Sequence, residues 1–235
     1  MSRVLVTGGT RGIGLAAVRR FLDDGDEVII AARHTSSEFT ADQRVRIIQC
    51  DLADRNAVRC LPQETGEIDI LVNNAGVMQG IPFDRYSDAE ADHILHLNLF
   101  APVILSEIYG QSMAARGGGR IVNVASQAAI AGHPDIWYGM TKAALVNFTK
   151  SLAGLLGESG VLINAVSPGP VETEMVAGSP YGERFARIRR RTYLGRFAQT
   201  DEIAGVIHWL AKESPAYLNG ENIVVNNGAL GLEMA

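Results

Sequence analysis

The 235 residues carry 47% hydrophobic side chains, enough to bury one α/β core and few for two. A net charge of -5 excludes the basic footprint of a general nucleic-acid binder. Two cysteines, Cys50 and Cys60, exclude a disulfide framework and fit a reducing cytosol, so a cytoplasmic location is expected. No run approaches the roughly 18 apolar residues of a membrane span. The strand pattern begins at once, so no signal peptide is expected.

Taken in chain order, strands are expected at Val4–Val6, Glu27–Ala31, Val45–Cys50, Ile68–Asn73, Arg120–Ala125, Val161–Val166 and Asn222–Val225. Several are near-continuous in Val, Ile and Leu, the pattern of strands covered on both faces. Helices are expected over 12–24, 54–61, 87–115, 136–157 and 200–213, with Pro102 kinking or dividing the third. Alternating β and α elements imply parallel strands joined by right-handed crossovers. The fold class is therefore α/β: a Rossmann-like, doubly wound parallel sheet of about seven strands with helices on both faces, in one domain over 1–235. The long segment without strand character, 171–195, is expected to be a lid over a substrate.

Thr7-Gly8-Gly9-Thr10-Arg11-Gly12-Ile13-Gly14 links the first strand to the first helix. Free N–H groups at a helix start attract phosphate, and glycine lets the backbone approach it. Gly8, Thr10, Arg11, Gly12, Ile13 and Gly14 are thus candidates for holding a dinucleotide. An NAD site normally ends its second strand in an acid that binds the ribose 2′-OH. Here Ala31-Ala32-Arg33-His34 has none, and Arg33 offers a partner for a 2′-phosphate, with Arg11 as a second contact. NADP(H) is expected in preference to NAD(H).

Tyr138-Gly-Met-Thr-Lys142 places a phenol and an ammonium on one helix face, twelve residues after Ser126. A positive charge beside a tyrosine favours phenolate, which suits proton exchange with a carbonyl or carbinol. His133 and Trp137 precede Tyr138 and are placed to line a substrate pocket. His93 and His96 share a helix face but have no companions that make a metal site, and none is expected. Arg184, Arg187, Arg189, Arg190, Arg191 and Arg196 crowd the lid. They form either a solvated basic face, the plainer reading, or a landing site for an acidic substrate such as a carboxylate, phosphate or carrier-bound thioester.

With these residues in view, nearly the whole chain resembles the short-chain dehydrogenase/reductase family, in its short-subunit branch. Thr7-Gly-x-x-x-Gly12-x-Gly14 resembles its cofactor motif, and Asp51-Leu52 its adenine contact. Asn73-Asn74-Ala75-Gly76 resembles the motif closing strand four, and Ser167-Pro168-Gly169-Pro170-Val171-Glu172-Thr173 the segment that grips the nicotinamide. The resemblance implies that Asn98, Ser126, Tyr138 and Lys142 are catalytic. Tyr138 would be the general acid in reduction, Lys142 would lower its pKa and bind the nicotinamide ribose, and Ser126 would orient the substrate oxygen. Asn98 would hold a water linking Lys142 to solvent. Gln127, His133, Trp137 and Met175 are expected around the substrate.

Three departures stand out. The Ser126-to-Tyr138 spacing is one residue shorter than the commonest family spacing. Asn219-Gly220…Val225-Asn226-Asn227-Gly228 replaces the usual Thr-Gly…Val-Asp-Gly-Gly, and Ala125 takes the place of a first serine. The resemblance implies an NADPH-dependent reductase of a small carbonyl compound, or the reverse alcohol oxidation, in a homo-oligomer, tetramer or dimer. A 3-oxoacyl-thioester reductase and an alcohol dehydrogenase are alternatives within the class. A non-catalytic NADP(H) sensor is the alternative outside it, and the intact Asn98, Ser126, Tyr138 and Lys142 set speaks against that.

Overall fold

A computed structural model describes residues 1–39, 41–178 and 180–230. Seven strands form one parallel sheet: β1 (Arg3–Thr7), β2 (Glu27–Ala32), β3 (Val45–Gln49), β4 (Ile70–Asn73), β5 (Gly119–Val124), β6 (Val161–Pro168) and β7 (Asn222–Val225). Their spatial order is β3-β2-β1-β4-β5-β6-β7, as expected for a doubly wound sheet. Side chains alternate across a strand, so each strand serves two cores. Val4 and Val6 of β1 face α1 (Gly12–Asp23) and α8 (Thr200–Lys212), where Phe21, Ile203 and Ile207 are fully buried. Leu5 faces the opposite layer, built from α2 (Arg55–Thr65), α4 (Ala101–Ala115) and α5 (Ile136–Leu156). Burying a side chain such as Phe21 contributes about 2–3 kcal/mol.

The order in which strands are added switches sides between β1 and β4, whose ends are stitched together. Thr7 Oγ1 accepts from Asn74 N at 2.9 Å and Ala75 N at 3.0 Å, and Asn74 Nδ2 donates to the Thr7 and Gly8 carbonyls. A crevice opens above such a switch point, and here it holds the site.

The helix expected over 87–115 is divided, and the break lies before the proline. α3 (Asp88–Leu95) starts at a capping box in which Ser87 and Glu90 bond each other's backbone N–H. A π-helical turn follows at His96–Phe100, and α4 begins at Ala101. Pro102 has no N–H for the carbonyl four residues back, Asn98, so the chain widens there. α2 runs past its expected end through Pro62 to Thr65, after Asp54 caps its start through Asn56 N at 2.8 Å. The strandless segment after β6 contains two helices, α6 (Glu174–Ala177) and α7 (Gly182–Arg191). Ser179 within it lies outside the described residues. The unusual asparagines near β7 have work to do. Asn219 Oδ1 accepts from Ile163 N at 2.7 Å, and Asn227, at φ +49°, accepts from Leu194 N at 2.8 Å, tying the end of the lid segment to the turn after β7.

Candidate active site

A cleft of about 1170 Å³ runs along the C-terminal ends of the strands. One end is the turn between β1 and α1, where Gly8, Thr10, Arg11, Gly12 and Ile13 line the wall. Gly8 (φ +67°) and Gly12 (φ +55°) adopt backbone that side chains rarely take. Gly14 does not line the cleft: a Cβ there would overlap the Gly8 carbonyl oxygen and Asn74 Nδ2. Its role is to let α1 close on the turn. No side chain caps α1, which leaves its first N–H groups facing the cleft for a phosphate. The protein groups present thus fit a dinucleotide.

The wall continues through Arg33, Ser36, Cys50, Leu52, Asn74, Ala75 and Gly76. Cys50 is buried, and burial pushes its thiol up to about 11. Asp51 is not among the lining residues; its carboxylate instead accepts from Ala53 N at 3.0 Å. Arg11 also departs from expectation. Its guanidinium pairs with Glu174 of α6 at 2.7 Å, bridging the mouth of the cleft, while Arg33 remains exposed at the end of β2.

At the other end the four candidate catalytic side chains converge. Ser126 follows β5, and its Oγ accepts from Ala128 N at 3.1 Å. Its hydroxyl lies near enough to the Tyr138 phenol to lower the phenol's pKa. Lys142, one turn further along α5, is buried and donates Nζ to the Val124 carbonyl at 2.8 Å. Asn98 is fully buried in the π-helical turn, exchanging 2.8 Å bonds with both Val77 N and Val77 O. Gly76 lies between them: a Cβ there would stand 3.3 Å from Asn98 Oδ1 and 3.4 Å from Lys142 Nζ.

The electrostatics differ from the expectation drawn from the Tyr138–Lys142 spacing. Burial raises the Tyr138 phenol, Ser126 pulls it back, and Asp135 raises it again. Lys142 Nζ sits 5.8 Å from the ring centroid and does not bond the phenol oxygen; burial lowers its own pKa to about 8. The protein's own groups therefore hold a protonated phenol beside a lysine that titrates near neutrality.

The family model described as enoyl-(acyl carrier protein) reductase matches residues 8–229. A 3α-hydroxysteroid dehydrogenase of Mediterraneibacter gnavus is 35% identical over 96% of this chain and 95% of its own length. The 3-oxoacyl-[acyl-carrier-protein] reductase of Aquifex aeolicus is 34% identical over 95% of each chain. A solved structure from Beutenbergia cavernae, assigned as an NAD(P)-dependent gluconate 5-dehydrogenase with NADP at low occupancy, superposes with a TM-score of 0.91. It is 32% identical and covers 97% of this chain, which covers 96% of it. The chain belongs to the short-chain dehydrogenase/reductase family. It is accordingly an oxidoreductase that works between CH–OH and C=O carbons with a nicotinamide cofactor.

In this family member the substrate side of the cleft is lined by Gln127, His133 and Met175, with Pro168, Gly169, Val171 and Thr173 below. Gln127 is buried and its Oε1 has no hydrogen-bond partner. His133 lies 5.3 Å from the Tyr138 ring and 6.0 Å from Tyr181, and burial holds its imidazole below the ordinary value. Trp137 does not line the cleft; its ring packs on Tyr86 at 6.1 Å. The sequence reading overlooked Asp135. This fully buried carboxylate caps α5 through Tyr138 N and also takes bonds from Tyr86 Oη, Gln79 N and Gly80 N. An Asp immediately ahead of an apolar helix is a readable cap signal; its partners 49 to 56 residues away are not.

Proposed function

We propose that this chain is an NADPH-dependent carbonyl reductase in which Tyr138 donates the proton. The carrying observation is that the Ser126 hydroxyl meets the Tyr138 phenol while Lys142 and Asn98 converge behind Gly76, all in one cleft with the glycine turn. The nicotinamide cofactor supplies hydride to the substrate carbon. The turn of Gly8, Thr10, Gly12 and Ile13 would take its phosphates, Arg33 and Ser36 a 2′-phosphate, and the Pro168–Thr173 segment the nicotinamide end. Support for NADP(H) over NAD(H) comes from the missing acid after β2 and from the NADP in the Beutenbergia structure.

A phenol held above its ordinary value is protonated near neutral pH, the form that donates a proton in reduction. As proton leaves Tyr138, the Ser126 hydroxyl stabilises the phenolate left behind. Lys142, titrating near 8, returns a proton along the Asn98 side. Segment 171–195 acts as the lid, latched at the glycine turn by Glu174 and Arg11. We place the protein in the cytoplasm as a homo-oligomer, tetramer or dimer; the half-exposed Met140 and the exposed Leu155 give α5 apolar surface suited to a second copy.

A second reading, reduction of a 3-oxoacyl group on a carrier protein, draws on the family model's description, the Aquifex relative and the arginines of the lid. Screening ketones, quinones and 3-oxoacyl thioesters with NADPH separates the two. For either, Tyr138→Phe removes one hydroxyl and almost no binding surface. Turnover should fall at least a thousandfold, about 4 kcal/mol of barrier, with NADPH affinity nearly intact. A variant within tenfold of wild type would falsify the assignment.

A further inference from the structure

The substrate end of the cleft contains a cation without a counter-ion among the described residues. Arg184, in the first turn of α7, donates Nη2 to the Gly132 carbonyl at 3.3 Å, while its buried Nε–H meets no acceptor. Burial holds this guanidinium below its ordinary range; the Tyr181 phenol works against that shift and Arg187 adds to it. The acids that might neutralise it are committed elsewhere. Glu174 pairs with Arg11, Glu172 acts on Arg196, and Asp135 is saturated by four donors. Leaving a half-buried charge unpaired costs free energy, and a guest anion would recover it.

The position is that of a substrate subsite. Gly132 precedes His133, whose ring lies against both Tyr138 and Tyr181, so Arg184 is anchored beside the residue that touches the phenol ring and acts electrostatically on its imidazole. Arg184, Arg187, Ser126 and Tyr138 line the same cleft. His133 is neutral, so positive charge here belongs to the arginines. A guanidinium edge matches the two coplanar oxygens of a carboxylate.

We propose that Arg184 binds a carboxylate on the substrate, remote from the carbon that is reduced, so that the enzyme acts on oxo acids and, in reverse, hydroxy acids. This rests on the carbonyl-reductase reading of the site. The test uses 4-oxopentanoate and 5-oxohexanoate, their methyl esters, and the ketone phosphate dihydroxyacetone phosphate, each with NADPH. Wild type should favour acid over ester by at least about tenfold in kcat/KM, the worth of one charge-assisted contact. Arg184→Gln should collapse that ratio toward one, mainly through KM. Equal wild-type values for acid and ester, an equal loss of both in the variant, or a preference for the phosphate over every acid would overturn the carboxylate assignment. If no carbonyl compound turns over, the reductase reading fails, and calorimetric titration with hexanoate decides the subsite separately. Binding to wild type that is lost in Arg184→Gln sustains it; absent or equal binding removes it.

Discussion

Replacing Asp135 by Asn keeps the shape of a buried side chain and removes its charge, which makes the consequences traceable. Oδ2 takes Gln79 N and Gly80 N, and Oδ1 takes Tyr86 Oη and Tyr138 N. An amide has one accepting oxygen, so two of these four donors must face an NH2 group. The cheaper orientation turns the NH2 toward Tyr86, whose hydroxyl can reverse and accept, and leaves the Tyr138 N–H bare. One lost cap and one unmet donor cost about 2 kcal/mol. For a chain of this size that lowers Tm by roughly 4–8 °C. The start of α5, which carries the phenol, is loosened directly, so kcat should fall more than KM rises. The Asp135 charge also raises the Tyr138 pKa. Reduction needs the protonated phenol and fades as pH rises through that pKa, so removing the charge moves the alkaline limb of kcat to lower pH. Differential scanning calorimetry and a kcat profile from pH 6 to 11 read both effects. Melting within 2 °C of wild type together with an unmoved limb would refute Asp135 as the residue that positions and tunes Tyr138.

Lys142→Met should stabilise the protein at neutral pH while abolishing turnover. A lysine with a folded pKa near 8 instead of the ordinary 10.5 destabilises the fold fully below pH 8, by roughly 3 kcal/mol, offset by about 1 kcal/mol when the Val124 carbonyl loses its donor. Because the unfolded chain binds the extra proton between these values, wild type gains stability from pH 8 to 10.5, and the variant's advantage should vanish across that window in chemical denaturation; a constant difference is the adverse result. Arg33→Asp should erase or invert an NADPH-over-NADH preference of at least about tenfold, measured by fluorescence titration, and equal wild-type dissociation constants would count against a 2′-phosphate site at Arg33. Gly14→Ala drives a Cβ into the Gly8 carbonyl and should cost about 3 kcal/mol and NADPH binding, whereas Gly12→Ala, whose Cβ would meet only Thr173 Cγ2 at an ordinary 3.5 Å, should cost about 1 kcal/mol of backbone strain. Similar melting temperatures for the two variants would contradict that ranking.

The sheet was legible because its inner strands are buried on both faces and read as apolar runs, and the glycine turn because a phosphate site needs small residues at a strand-to-helix junction. What escaped depends on distance in sequence or on competition between local rules. The π-helical turn at Asn98 arises where Pro102 withholds an N–H from a helix whose periodicity is otherwise unbroken, so the proline marks the neighbourhood and not the break. The lid's α6 is a single turn of four residues and α7 is dominated by charged residues around Phe185, Ala186 and Ile188, so no periodic signal lifts them above a loop. Arg11 reads as a phosphate ligand from its place in the glycine turn, but its partner Glu174 comes 163 residues later. Tyr138 and Lys142 sit on one helix face as the i, i+4 spacing demands, yet the spacing cannot report that Lys142 is buried and Tyr138 half-buried. Burial reverses the expected sign of the phenol's shift and brings the lysine toward neutrality. The site therefore concentrates what the rest of the fold avoids: a buried ammonium with one carbonyl partner, a buried carboxylate without a cation, and a guanidinium Nε–H without an acceptor. Each is destabilising for a fold considered alone, and each is understandable where protons and an anionic substrate must be handled out of water.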